Sequence, residues 1–187
     1  DLSDPGEMVL QAGVEAVRSV LARTNRPIPS SLDLPDCLSR WLGRRVWHTT
    51  LGKIREEVEL PSFKVCHIKP LDQHKLFSGT VVRDFQDLMR TASMSESVPV
   101  LAQGYVDFVS EWRAYVLREE ILHVGRYKGD PLRFPSTESM KSALETFEDK
   151  PIAFGMDWGV TRTGESLLVE VNDGYSLGNY GLQGPEY

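Results

Sequence analysis

Cysteine is scarce. Only Cys37 and Cys66 occur, far apart and in apolar or loop-like surroundings, which excludes a disulfide framework and fits two reduced structural thiols. Histidine is as sparse, and His48, His67, His74 and His123 show no zinc-ligand spacing. No apolar run approaches the roughly 20 residues needed to span a bilayer. The first residues carry Asp and Glu rather than a basic stretch and a long apolar core, so neither a membrane span nor a signal peptide is expected. Positive charge is not in excess either: 21 Lys and Arg against 27 Asp and Glu give a net charge of −6, which argues against a nucleic-acid binder working by bulk electrostatics. Repeats and low-complexity segments are missing. The expectation is a cytoplasmic protein without nucleic-acid or membrane partners.

What is present is an ordinary globular composition, 187 residues with 41% hydrophobic and 26% charged. That length buries a core as one domain or as two small lobes. The chain opens on Asp1 rather than Met and ends at Tyr187, which reads as a piece of something longer.

The most informative stretch is Ile152 to Tyr180. Two short apolar runs, Ile152 to Met156 and Leu167 to Val171, flank a turn-forming T-R-T-G-E segment and read as a β-hairpin. Three hard oxygen donors, Asp157, Glu170 and Asn172, stand at the ends of these runs. Strand side chains alternate, so Glu170 and Asn172 share a face, and Asp157 arrives from the partner strand. Two carboxylates and an amide form a ligand set for Mg²⁺, which takes oxygen donors and leaves room for water and substrate phosphates. The plainer reading is a solvated hairpin end.

Ahead of the hairpin, residues 6 to 23 show helical periodicity, and a short helix runs from about Asp36 to Leu42, stopped by Gly43. Arg44, Arg45 and Trp47 read as a solvated loop or a patch for phosphate or acidic partners, and Thr49 to Val58 as another helix. F-K-V-C-H-I-K-P is an edge-compatible strand ending in Lys69-Pro70, with Lys75 following in the next loop. Residues 83 to 93 form a helix presenting Phe85, Leu88 and Met89 on one face. The strand P-V-L-A-Q-G-Y-V then leads to a strand, turn and return strand over 111–127, with Glu111, Arg113, Tyr115 and Leu117 on one face. A guanidinium facing inward cannot shed its charge and needs a partner. A nucleotide phosphate or an acyl phosphate would serve, with Arg126 of the return strand joining; structural pairing with Glu111 or Glu120 is the competing account. Ser136 or Thr137 caps a helix to Phe147, and after Asn172 the D-G-Y-S-L-G-N-Y-G-L-Q-G run gives backbone N–H groups freedom to approach phosphate or substrate, or else is a disordered tail.

The Asp157, Glu170-x-Asn172 arrangement, with F-K-V-C-H-I-K-P and K-L-F-S-G, resembles the ATP-grasp carboxylate-amine ligases. The lysines are similar to those of a divergent, mainly bacterial clade of ATP-grasp domains that also includes a eukaryotic translation-initiation assembly factor. The resemblance implies an α+β, two-lobed fold with mainly antiparallel sheets after short N-terminal helices: a helical segment over 1–60, a small lobe over 61–108 and a large lobe with the metal hairpin over 109–187. It implies ATP and Mg²⁺ between the lobes, phosphates on Lys69 and Lys75, adenine on Gln103, Gly104, Tyr105 and Val106, and ribose on Asp107 or Glu111. Many ATP-grasp ligases place an Arg two residues before the metal Asp. Here that residue is Gly155, so the stabilising cations would be Arg113 and Arg126. The implied activity joins a small-molecule, peptide or protein carboxylate to an amine through an acyl phosphate; the alternative is an ATP-binding regulatory or assembly module without turnover.

Overall fold

The computed structural model describes residues 12–71 and 76–184. Two units emerge: one contains the chain up to Gly43 and again from Phe108 onward, the other is Arg44–Asp107. Each carries a four-stranded antiparallel sheet, and helices are few, in keeping with the α+β expectation. Among the described residues no helix is long and apolar enough to cross a membrane.

In Arg44–Asp107, β1 (Val46–Thr50), β2 (Cys66–Pro70), β3 (Thr80–Val82) and β4 (Pro99–Gly104) lie in the order β1-β4-β2-β3. Residues 46–50, which the sequence suggests are loop running into helix, are therefore a strand. The helix begins only at Leu51 (α2, Leu51–Glu57), where the Thr50 hydroxyl accepts from the Lys53 N–H as N-cap. Cys66 and Ile68 of β2 point into the core with Leu51, Ile54, Val82, Leu88, Val100 and Ala102. Burial raises the Cys66 thiol to about 11, so it stays protonated and inert. Strand β2 is interior, not an edge, because β3 covers its free side. The following 3-10 helix, Phe85–Thr91, buries Leu88 and Thr91 and leaves Phe85 and Met89 exposed. Its tighter winding, three residues per turn, aligns Leu88 with Thr91 and takes Met89 off the expected stripe.

The other unit begins with α1 (Val14–Arg23) and the 3-10 helix Asp36–Trp41; the part of the expected first helix before residue 12 lies outside the described residues. Its sheet contains β5 (Phe108–Leu117), β6 (Glu120–Gly129), β7 (Ala153–Thr161) and β8 (Ser166–Asp173), in the order β6-β5-β7-β8. Arg118 and Glu119 turn β5 into β6 with φ of 48° and 70°, the left-handed pair that matches the twist of a two-residue hairpin. The Ser136 hydroxyl caps α3 (Thr137–Thr146).

Alternation divides this sheet into unlike faces. One packs Ala114, Val116, Phe154, Met156, Trp158 and Val171 into the core, where Met140, Ala143 and Leu144 of α3 and Leu38 and Trp41 of the 3-10 helix are also buried. Each large apolar side chain so buried contributes about 1.5–3 kcal/mol. The other face carries Glu111, Arg113, Asp157 and Glu170.

Candidate active site

The charged face is built by register. In β5 and β7, Arg113 pairs with Asp157, Tyr115 with Gly155 and Glu111 with Gly159. In β7 and β8, Asp157 pairs with Glu170 and Gly155 with Asn172. Residues paired across antiparallel strands project to the same side, so Asp157, Glu170 and Asn172 meet on one face, as alternation predicts. The Asn172 Nδ2 donates to Asp157 Oδ2 at 3.2 Å and to Glu170 Oε1 at 3.3 Å. Asp157 is not at a strand end, however: β7 runs on to Thr161, and Asp157 sits in mid-strand, 2% exposed.

Arg113 is what allows a carboxylate there. Its Nε and Nη2 donate to Asp157 Oδ1 and Oδ2, each at 2.7 Å, the two-pronged geometry that suits guanidinium to carboxylate. Neither Glu111 nor Glu120, the partners that spacing along the chain suggests, is the one used. The Tyr127 and Tyr180 rings lie 5.9 and 5.3 Å from the guanidinium carbon. Burial, reinforced by Glu170 and Glu111, raises the Asp157 carboxyl to about 6 despite Arg113. Burial disfavours the Arg113 cation, but the Asp157 bonds outweigh it and hold the guanidinium even more firmly protonated. The pair is therefore ionised at neutral pH.

Glu111 is 9% exposed and has its own partners, Lys128 Nζ and the Tyr127 hydroxyl, the latter at 3.0 Å. Burial together with Asp157 and Glu111 drives the Tyr127 hydroxyl far above its ordinary range, keeping it a donor. Lys128 and Tyr127 escape a reading of the sequence because a bulge opposite Glu111/Trp112 brings both to the charged face. Arg126 does not join them. It pairs with Trp112, on the opposite face from Arg113, is exposed, and donates to the Gly129 carbonyl at 2.8 Å.

The Gly-rich run after β8 lies across this face. The Tyr115 hydroxyl donates to the Gly178 carbonyl and accepts from the Tyr180 N–H at 2.9 Å. The His123 ring meets the Tyr180 carbonyl at 3.2 Å, and the Tyr127 and Tyr180 rings stand 5.2 Å apart. Gly125 makes the crossing possible, because a Cβ added there would overlap the Tyr180 carbonyl oxygen. Gly125→Ala should therefore displace the run and lower stability by about 1–3 kcal/mol, as overpacking does. An unchanged melting temperature would show that the crossing does not persist in solution.

In the Arg44–Asp107 unit, Lys69 is half-buried and pairs with Leu101, on the face opposite Cys66 and Ile68; Lys75 lies outside the described residues. Gln103 is 6% exposed, its Oε1 taken by Arg44 Nε and Nη2 at 2.9 and 2.7 Å. The Gly104 and Tyr105 N–H groups donate to Arg45 and Val65 carbonyls. Those two amides are thus committed within the sheet, and Val106 and exposed Asp107 follow immediately before the unit boundary.

The donor set suits Mg²⁺. Among the described residues no three His, Cys, Asp or Glu side chains converge, so the site offers two carboxylates and an amide rather than a full protein cage. Mg²⁺ is usually held in this way, with water and phosphate completing the octahedron. Turning the Asn172 amide over would present its oxygen in place of its nitrogen.

No curated protein matches the chain. Among solved structures, the macrocyclase MdnC from Microcystis aeruginosa MRC, bound with precursor peptide MdnA, is similar at 13% identity and a TM-score of 0.54, over 92% of this chain and 65% of that one. N5-carboxyaminoimidazole synthetase from Staphylococcus aureus, complexed with ADP, is similar at 13% identity and a TM-score of 0.51, over 73% of this chain and 40% of that one. The ATP-grasp ligase PsnB, complexed with precursor peptide PsnA2 and AMPPNP, gives 18% identity and a TM-score of 0.44 over 83% of this chain, which spans 47% of PsnB. Identities this low speak for fold alone. The model of an ATP-grasp domain family, the second family of the R-two-K clade, matches residues 41–187, most of the sequence, and the chain belongs to that family.

Proposed function

We propose that this chain forms the nucleotide- and metal-binding part of an ATP- and Mg²⁺-dependent ligase that joins a carboxylate to an amine. The observation that carries the proposal is the register of β7 and β8, which faces Asp157 with Glu170 and adds Asn172 on the same side, beside Arg113. Asp157, Glu170 and Asn172 would hold Mg²⁺, which supplies charge neutralisation at the transferring phosphate. Arg113 offers three N–H groups beyond the two given to Asp157, enough to bind phosphate oxygens as charge moves onto them. Lys128, next to Glu111, adds a second cation on that face, the part expected of Arg126. Lys69 and Lys75 are assigned to phosphate, Gln103, Gly104, Tyr105 and Val106 to adenine, and Asp107 or Glu111 to ribose. Of the Gly104, Tyr105 and Val106 amides, Val106 is the one left for the adenine edge, since Gly104 and Tyr105 are committed.

In the reaction a substrate carboxylate oxygen attacks the γ-phosphorus and ADP departs. The amine nitrogen then attacks the acyl carbon, loses a proton, and inorganic phosphate leaves. MdnC is described as a macrocyclase bound with a precursor peptide and the other similar structure is an N5-carboxyaminoimidazole synthetase, so a peptide, a protein and a small molecule all stand as sources of the carboxylate. A regulatory or assembly module would bind Mg-ATP in the same way but never release ADP.

Calorimetry with Mg-ATP is the direct test. Binding that needs both nucleotide and divalent cation is expected, and ADP release on adding a carboxylate and an amine separates ligase from module. No heat with Mg-ATP under any condition would overturn the nucleotide reading.

A further inference from the structure

On the charged face Asp157 and Glu111 already have cations, and the two ion pairs differ in kind. Lys128, which answers Glu111, is 65% exposed along its side chain and can leave for water at little cost. Arg113, which answers Asp157, is 10% exposed against a carboxylate 3% exposed. From this contrast we infer that Arg113 is an internal counter-ion occupying the place of the metal's charge, and that it gives up Asp157 only to a nucleotide phosphate. Divalent cation and nucleotide then bind as a single coupled event. The inference rests on Asp157, Glu170 and Asn172 being the metal ligands.

Three features support it. Both Asp157 oxygens are bonded in the fork, and Asn172 adds a third donor to Oδ2, so a cation arriving alone must compete for lone pairs already in use. The guanidinium cannot lose its proton, and the rings of Tyr127 and Tyr180 beside it hinder retreat. A lone dication would therefore sit against a fixed positive charge in a poorly screened place. A phosphate relieves the conflict, because it is the other common group that matches the guanidinium fork. Once Arg113 engages phosphate, Asp157 is released to the metal. By linkage, nucleotide must tighten metal binding by the factor by which metal tightens nucleotide binding.

The test is a Mn²⁺ titration of the full chain followed by electron paramagnetic resonance, with and without ADP, in wild type, Arg113→Gln and Arg113→Lys. Wild type should take up Mn²⁺ weakly alone and much more tightly with ADP. Arg113→Gln should bind Mn²⁺ alone about tenfold more tightly than wild type, since a buried charge has gone, and its coupling to ADP should fall by a similar factor. Arg113→Lys, which keeps the charge but not the fork, should tighten Mn²⁺ alone by about threefold, and it decides the matter if the Gln variant fails to fold. Should neither variant bind Mn²⁺ alone better than wild type while wild type binds Mn-ADP, the counter-ion role is overturned and the site assignment survives. Absence of bound Mn²⁺ in wild type even with ADP overturns both.

Discussion

Glu170→Gln is expected to abolish Mg²⁺-dependent ATP turnover while leaving the fold intact, a loss of about a thousandfold or more, the scale set by removing preorganised charge from a transferring phosphate. The substitution is nearly isosteric. Glu170 is half-buried in β8, opposite Asp157, and accepts from the Asn172 amide at 3.3 Å. Glutamine can still accept that bond, so packing and register have no reason to change. What disappears is one of two carboxylates able to bind a hard dication, and an amide oxygen is a much weaker ligand for Mg²⁺ than a carboxylate. Melting temperature should move by no more than about the 1–3 °C that corresponds to a fraction of a kcal/mol in a chain of this size. ADP release, followed in the presence of carboxylate and amine acceptors, should fall to background at every Mg²⁺ concentration. Turnover retained at the wild-type level would mean that Glu170 is not a metal ligand.

The hairpin could be read from sequence because its information is local. Gly and Thr at the turn, apolar runs on both sides and the Glu170-x-Asn172 spacing are enough to define two strands, the turn and a shared face. What could not be read was how far β7 continues. Asp157 looked like a strand end because a carboxylate is disfavoured in a buried strand, and its partner, Arg113, is distant in sequence and belongs to a different hairpin. The same limit explains Arg126. It was expected to join Arg113 from the return strand, but the bulge opposite Glu111/Trp112 shifts the phase of β6 and substitutes Tyr127 and Lys128. Strand β1 was missed for a related reason: Val46–Thr50 is short and polar, and its pairing to β4 depends on residues about fifty positions away.

Arg113→Met, measured in EDTA, should lower stability by about 3–5 kcal/mol, the cost of leaving one member of a buried pair without its partner. That corresponds to a fall of roughly 10 °C in melting temperature for a chain of this length. Methionine fills comparable space, so the loss is electrical rather than steric. It strands Asp157 with Glu170 and Glu111 close by and removes the guanidinium fork that offsets their repulsion at Asp157. The pH dependence gives the cause away. In the wild type the Asp157 carboxyl is raised from 3.8 to about 6, so its contribution to stability is full below the lower value and is lost as pH rises through the upper one. Without Arg113, the largest influence holding that carboxyl down is gone, its folded value climbs further, and the loss extends into the neutral range. The gap between wild type and variant should therefore be widest near pH 8 and shrink toward pH 5, where the stranded carboxyl takes up a proton. Adding Mn²⁺ at neutral pH should restore more of the melting temperature in the variant than in the wild type, since the cation then supplies the missing charge. A gap of the same size at both pH values, untouched by Mn²⁺, would mean that Arg113 matters through its packing beside Tyr127 and Tyr180 and not through its charge on Asp157.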